Sequence, residues 1–236
     1  KSTIQSIIVN NGLFSLSSIT TAFSQLSTLH IPRESFVGEV PTTFLKNLKS
    51  LTDVQIDGAT VIKNAAFQFC SSLRTVSFPL CEKINEYAFA HCTSLQEISF
   101  KSCTEIGNFV FKDCTALSSI DFPVLNILGY QSFLNTALTS VELDSVTMVS
   151  TYTLGSRQFS GCTKLKYISM KSATVLTSFM FEGCAQLSSY DFPLVNEIKY
   201  SAFVKCQSIT TLNFPSLITI DQYAFSKLNG VVYGRP

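Results

Sequence analysis

Residues 70–79 read CSSLRTVSFP, and the same pattern returns as CTSLQEISFK at residues 92–101 and as CAQLSSYDFP at residues 184–193. Each copy places Leu three residues after Cys, a further apolar or aromatic residue three positions later, and Phe two positions after that. Apolar positions that recur at one fixed period are typical of repeat architectures, in which each unit is one turn of a solenoid. The stretch therefore predicts a stack of similar coils.

A ladder of phenylalanines shows how far the period extends. Its steps are 22 residues, except for one step of 26 between Phe133 and Phe159. Cysteine follows six of these phenylalanines at a distance of three residues, and Thr136 and Leu228 take its position after the other two. Each coil of a solenoid buries side chains only against its neighbours, so the ladder is predicted to form a core spine. Its members are Phe67, Phe89, Phe111, Phe133, Phe159, Phe181, Phe203 and Phe225.

The two halves of each coil carry different apolar spacings. The first half, L-x-x-L-x-L, ends in strict alternation and predicts a strand, with ten such positions up to Ile209–Phe214. The second half, as in Ile84–Cys92, is apolar at i, i+4, i+5 and i+8, which favours a short helical turn. We assign a second apolar ladder to Ile62, Ile84, Ile106, Leu128, Leu154, Leu176, Ile198 and Ile220.

The combined unit, L-x-x-I-x-F-P-x-x-x-x-I-x-x-x-A-F-x-x-C, resembles the BspA-like (Treponema-type) leucine-rich repeat over nearly the whole chain. The resemblance implies a repeat solenoid, a right-handed superhelix of about ten 22-residue coils. In that fold a parallel β-sheet lines the concave face, and short helical turns and irregular segments form the other side. The resemblance also implies the surface of bacteria or parasitic protists, where family members act as adhesins.

Residues 1–236 are predicted to form a single array. Two coils are atypical, at residues 32–43 and 147–158, and the step from Phe133 to Leu138 is one residue short. Neither end shows the polar capping repeat that solenoids usually carry. We therefore expect the array to be a fragment of a longer chain.

Composition narrows the class of function. The chain is 46% apolar and 14% charged with a formal net charge of +1, which argues against disorder and against nucleic-acid binding. No run approaches the ~20 apolar residues of a membrane span, so direct membrane insertion of this segment is not expected. G-x-S-x-G, H-E-x-x-H and phosphate-binding glycine loops are all missing. We therefore expect no enzyme activity and no cofactor.

The eight cysteines leave three interpretations open: buried thiols, some disulfide bridges, or a metal site. The pattern favours buried thiols, because Cys alternates in its repeat positions with Thr, Leu, Ala and Val. The sequence lacks the usual ligand pattern of a metal site, since no C-x-x-C occurs and His30 and His91 are the only histidines.

Solenoids usually bind partners through the sheet, so outward strand positions are the candidate site. Acidic residues outnumber basic ones there, which predicts a mildly acidic face and a partner with a basic patch. The alternative is ordinary solubilising charge. The candidates are Asp53, Gln55, Arg74, Glu97, Asp121, Glu142, Lys166, Tyr167, Asp191 and Asn213. The insertion at residues 147–158 adds the loop candidates Met148, Tyr152 and Arg157.

These observations predict a non-enzymatic protein-binding module. Its partners are expected to be proteins, including host matrix or cell-surface proteins, and the chain itself to be a monomer or weakly self-associated end to end. Family resemblance adds the role of a cell-surface or secreted adhesin. The alternatives are a cytoplasmic scaffold, which eight thiols would suit, and a non-catalytic appendage of a larger enzyme.

Overall fold

The computed structural model describes residues 4–9, 12–13, 15–16, 19 and 23–228. Within these residues the chain winds through two rows of short parallel strands, which we call the front sheet and the back sheet. The front sheet contains β1 (Ser6–Ile8), β2 (Thr28–Ile31), β4 (Asp53–Ile56), β6 (Thr75–Ser77), β8 (Glu97–Ser99), β10 (Ser119–Asp121), β12 (Ser140–Glu142), β14 (Tyr167–Ser169) and β16 (Ser189–Asp191). The back sheet contains β3 (Gly38–Val40), β5 (Ala59–Ile62), β7 (Lys83–Ile84), β9 (Glu105–Ile106), β11 (Ile127–Leu128), β13 (Met148–Val149), β15 (Val175–Leu176), β17 (Glu197–Ile198) and β18 (Thr219–Ile220).

Strand pairing follows the repeat register. Val54 lies opposite Leu29 on one side and Val76 on the other, so equivalent positions of consecutive coils stack directly. In the back sheet, Ile84 lies between Ile62 and Ile106 in the same way. The predicted parallel solenoid of 22-residue coils is therefore confirmed, with about nine turns. The tenth predicted strand position, Ile209–Phe214, forms no strand.

The second half of each coil does not form the short helical turn that the sequence predicted. No α-helix occurs in the part of the chain that the structure describes. Tyr87 and His91 instead adopt left-handed backbone conformations, with φ of 59° and 62°, on either side of the buried Phe89. A helix cannot continue through such residues. The corner alternates bonds within the turn, such as Cys92 N–H to Phe89 O at 3.1 Å, with bonds between coils, such as Phe89 N–H to Val110 O at 3.0 Å.

The second apolar ladder needs one correction, at the insertion. Val149 lies opposite Leu128 in the back sheet and occupies the position assigned to Leu154. Leu154 is 71% exposed. The extra residues of this coil follow β13, so they enter after the strand and leave the ladder in register.

The phenylalanine ladders form the core, as predicted. Phe111 is fully buried, and its ring stacks between Phe89 and Phe133 with centroids 5.5 Å away on each side. A second stack runs beside it through Phe100 and Phe122, at 5.5 Å. Each ring contacts the coil before and the coil after, so the core is a continuous column of nearest-neighbour contacts.

All eight cysteines are buried and carry free thiols. The interpretation of cysteine as a small buried side chain is therefore confirmed.

Candidate functional site

The front sheet brings most of the predicted binding residues onto one surface. In β8, Glu97 and Ser99 are exposed on either side of Ile98, which is 4% exposed. β12 repeats this alternation, and the other front strands follow it less strictly; in β14 the second outward position, Ser169, is itself buried. Asp53, Gln55, Glu97, Asp121, Glu142, Tyr167 and Asp191 lie in these strands. Arg74 and Lys166 are exposed directly before β6 and β14, and Asn213 is exposed in the coil that lacks a strand.

Two lysines that the sequence reasoning missed partly neutralise this surface. Lys101 forms an ion pair with Asp121, whose carboxylate also accepts a hydrogen bond from Ser99 Oγ at 3.0 Å. The hydrogen bond from Lys101 is the main cause that lowers the pKa of Asp121. Lys101 follows the strand by two residues, beyond the alternating positions, so the strand pattern did not select it.

The second lysine, Lys171, forms ion pairs with Asp144 and Asp191. Its Nζ lies 2.6 Å from Asp144 Oδ2 and 4.0 Å from Asp191 Oδ2. Partial burial raises the pKa of Asp144, but hydrogen bonds from Lys171 and Ser169 outweigh it and leave the pKa below its usual value. Glu97 and Glu142 are exposed and have no ion-pair partner among the described residues. They are the uncompensated carboxylates of the front sheet.

At the N-terminal end of the front sheet, the candidate polar side chains are already hydrogen-bonded to neighbouring side chains. The carboxylate of Asp53 bonds to His30 Nε2 and to Thr75 Oγ1. Gln55 Nε2 donates to Asp57 Oδ1 at 3.0 Å. These contacts order the side chains across three coils.

The front sheet is interrupted between β6 and β8 and again between β10 and β12. A cleft of about 450 Å³ opens at the second interruption. The corner before β12 is the one that is a residue short, between Phe133 and Leu138. The cleft is lined by Ser119, Ile120, Asp121, Phe122, Pro123, Ser140, Glu142 and Asp144.

The three loop candidates do not form one site. Met148 is 58% exposed in β13 and lines a back-sheet groove of about 370 Å³ together with Val175. Tyr152 stacks on Tyr130, with ring centroids 4.9 Å apart. Arg157 lies 4.4 Å over the ring of Phe179, and its Nη1 donates to Leu154 O at 2.6 Å. Arg157 therefore holds the insertion against the next coil.

A row of half-exposed aromatic rings at the corners was also missed. Tyr87 stacks on Phe109 at 4.5 Å, and Tyr200 contacts both Phe179 and Tyr223. The available signal was an aromatic residue two or three positions before the ladder phenylalanine in most coils.

Among the residues that the structure describes, no group of three or more His, Cys, Asp or Glu side chains is arranged to hold a metal ion. No helix there has the length and apolarity that crossing a bilayer requires.

Stacked 22-residue coils, a parallel sheet of L-x-x-L-x-L strands and an outward polar face define a leucine-rich repeat solenoid. Leucine-rich repeats are a typical protein-interaction module, and their proteins are generally non-catalytic. The BspA-type leucine-rich repeat region matches residues 38–153 and 143–231 in six copies. The chain therefore belongs to the BspA-type leucine-rich repeat family.

Solved structures share the fold. A leucine-rich repeat protein from Bacteroides ovatus is 22% identical with a TM-score of 0.59, over 89% of this chain and 67% of the other. A Treponema pallidum leucine-rich repeat protein is 23% identical with a TM-score of 0.53, over 77% of each chain. The pneumococcal vaccine antigen PcpA is 17% identical with a TM-score of 0.51, over 77% of this chain and 61% of the antigen. No curated protein sequence matches the chain.

Proposed function

We propose that the chain is a non-enzymatic module that binds proteins through its front sheet, at a cell surface or after secretion. The observation that carries the proposal is the outward face of the front sheet, where Glu97 and Glu142 are exposed and unpaired among the described residues. Uncompensated carboxylates on an otherwise polar face favour a partner with a basic patch, because opposite potentials steer encounter.

Family membership supports the location. The structural relatives include a protein described as a vaccine antigen. On this proposal the module is an adhesin that recognises host or neighbouring-cell proteins.

The free thiols favour a second candidate, a cytoplasmic scaffold. Thiols persist in reducing compartments, and all eight cysteines are unbridged. Antibody labelling of intact and permeabilised cells separates the two. Labelling of intact cells, abolished by external protease, supports the surface module, whereas labelling only after permeabilisation supports the scaffold.

Binding is tested against immobilised extracellular-matrix proteins and intact host cells. The front variant replaces Glu97, Asp121, Glu142 and Asp191 by Ser. The matched control removes the same number of carboxylates elsewhere on the exposed surface, at Glu34, Glu39, Glu82 and Asp221. We expect the front variant to lose binding and the control to retain it. Equal binding by both variants, or no binding by the wild-type protein, would contradict the front-sheet proposal.

A further inference from the structure

Two tyrosines from adjacent coils lie in contact at the edge of the insertion. The rings of Tyr130 and Tyr152 stack with centroids 4.9 Å apart and an angle of 18° between their planes. Tyr152 is 43% exposed, and Tyr130 is half-buried. Their main-chain N–H groups donate to Asn108 Oδ1 and Ser156 Oγ, but neither phenol oxygen has a hydrogen-bond partner among the described residues. The two phenols therefore lie side by side within reach of a reagent in solution.

A second tyrosine pair, Tyr200 and Tyr223, provides an internal comparison. Its rings meet edge to face, with 80° between the planes and 5.7 Å between the centroids. Both residues are exposed, at 41% and 62%, so exposure alone would make this pair the more reactive one. Coupling of two phenols joins the ring carbons that lie next to each hydroxyl, and near-parallel rings bring these edges together, whereas perpendicular rings do not. Ring geometry therefore favours Tyr130 and Tyr152.

The side chains that oxidants usually attack are mostly out of reach. All eight cysteines are buried, and burial raises the pKa of thiols such as Cys162 to about 11, which keeps them protonated and unreactive. Met148 is 58% exposed, but oxidation of its sulfur gives a sulfoxide and no link to another residue. The chain contains no tryptophan. Phenols are therefore the groups through which oxidation can join two parts of this chain.

We propose that Tyr130 and Tyr152 form an oxidative cross-linking site, at which a haem peroxidase and hydrogen peroxide join the two rings as dityrosine. The oxidant removes one hydrogen atom from each phenol, while the O–O bond of the peroxide breaks and two waters form. The two tyrosyl radicals then form one C–C bond between the carbons next to oxygen. The hydrogens on those carbons move to the oxygens, which restores both phenols and leaves a chain that is two hydrogen atoms lighter. This inference goes beyond the proposed binding function and does not depend on it.

The cross-link would fasten the insertion to the coil before it. Tyr152 lies in the extra residues that follow β13, and Tyr130 lies in the corner that follows β11. The back sheet is interrupted directly after this coil, since β13 pairs with β11 but not with β15. A covalent bond between the two tyrosines closes a loop in the unfolded chain and so favours the folded state. The modification would therefore strengthen the solenoid beside the interruption of its back sheet.

The site is tested by treating the dilute, purified chain with a haem peroxidase and hydrogen peroxide. Cleavage after glutamate separates the proposed pair at Glu142, and trypsin separates the comparison pair at Lys205. Mass spectrometry then identifies which peptides are joined. We expect the link between Tyr130 and Tyr152 to be the main product. A main product between Tyr200 and Tyr223, links only between separate molecules, or no link at all would overturn the proposal.

Two conservative variants locate the reacting phenols. Tyr152→Phe keeps an aromatic ring in the stack, removes the phenol and should abolish the cross-link. The matched control, Tyr87→Phe, removes a phenol whose ring stacks on Phe109 rather than on a tyrosine, and should retain the cross-link. Thermal melts that match wild type establish that both variants are folded. A link to Tyr130 that persists in Tyr152→Phe, or that is lost in Tyr87→Phe, would show that the pair is wrongly assigned.

Oxidation of the unfolded chain tests whether the fold selects the pair. In concentrated urea, with the peroxidase first shown to oxidise free tyrosine there, we expect a mixture of tyrosine pairs. The same yield of the link between Tyr130 and Tyr152 in urea would overturn the structural assignment, because proximity along the chain would then explain it.

Stability gives the second readout. Cross-linked wild-type protein should unfold at a higher urea concentration than untreated protein, whereas peroxidase-treated Tyr152→Phe should not. Equal midpoints for cross-linked and untreated wild-type protein would refute the fastening of the insertion.

Discussion

The thiol of Cys92 donates a hydrogen bond to the main-chain oxygen of Phe67 in the preceding coil, with Sγ and O 3.2 Å apart. Cys114 makes the same bond to Phe89 at 3.1 Å. Thr136, which replaces Cys in one coil, turns its hydroxyl to a carbonyl of its own turn instead. The cysteine ladder is therefore a buried column of weak donors as well as packing volume.

This ladder should make the protein less stable at alkaline pH. Burial raises the pKa of Cys114 to about 12, from an ordinary value of 9.0. The folded state thus retains a proton that the unfolded chain releases. The stabilisation is complete below about pH 9 and is lost as pH rises toward about 12. Each thiol should contribute a slope of about 1.4 kcal/mol per pH unit in this range.

Urea denaturation between pH 8 and pH 11 measures that slope. Cys114→Ala removes one titrating thiol. The free energy of unfolding should therefore fall less steeply with pH than in wild type, by about 1.4 kcal/mol per pH unit. An identical pH dependence in wild type and variant would show that Cys114 titrates normally in the folded protein.

Phe111→Ala should lower the free energy of unfolding by about 3–5 kcal/mol, as truncation of other fully buried phenylalanines does. The ring stacks between Phe89 and Phe133, so the cavity would remove contacts to both adjacent coils. Phe109→Ala, two residues earlier and partly exposed, is the control and should cost clearly less. A melt of Phe111→Ala that matches wild type would contradict the ladder's role in stability.

Gln158→Leu should destabilise the protein by about 1–3 kcal/mol, the penalty for leaving buried polar partners unsatisfied. Gln158 is fully buried and bridges two coils, with Nε2 donating to Ser150 O at 2.8 Å and Oε1 accepting from Thr177 Oγ1 at 2.7 Å. Chemical denaturation checks this, with exposed Gln96→Leu as the control. Equal stability of the two variants would mean that the bridge contributes nothing measurable.

Gly183→Ala should cost about 1 kcal/mol through backbone conformation alone. Gly183 has a φ of +74°, and an added Cβ would meet no atom within 4 Å. Gly183→Asn should be better tolerated, since Asn135 occupies the equivalent corner at a φ of 59°. If alanine and asparagine proved equally stable by urea denaturation, steric preference for glycine at this corner would be refuted.

Lys101→Gln should raise the pKa of Asp121 toward its ordinary value, because the lysine hydrogen bond is the largest cause of its depression. NMR titration of the carboxyl group measures this directly. Lys205→Gln, exposed at a corner outside the front sheet, is the control. An unchanged Asp121 pKa in Lys101→Gln would show that the ion pair does not persist in solution.

The repeat pattern alone predicted the stack of coils, the phenylalanine spine and the burial of the cysteines, and the family resemblance added the parallel sheet. The prediction worked because identical spacing in every coil leaves each buried position only its own equivalents as neighbours. The outward residues of the front sheet followed from the same alternation. Glu97 and Ser99 are exposed around buried Ile98 for that reason.

The prediction of helical turns was wrong because the spacing of apolar residues does not determine backbone conformation. Apolar residues at i, i+4, i+5 and i+8 fit a helix, yet they also fit a corner in which Tyr87 and His91 are left-handed. Inter-coil bonds such as Phe89 N–H to Val110 O stabilise that corner, and they exist only once the coils are stacked. The second apolar ladder was also wrong at one position. Val149, not Leu154, occupies it, because Val149 is the residue that pairs with Leu128 in the back sheet.

The sequence by itself determined the period, the core and the face that points outward, because these depend on which positions are apolar. Only the tertiary structure decided the charge balance of that face and the opening between β10 and β12. Lys101 reaches Asp121 across a coil boundary, and β10 and β12 do not pair as strands beside a corner that is one residue short. Both depend on how neighbouring coils sit on one another, and a one-dimensional spacing does not contain that information.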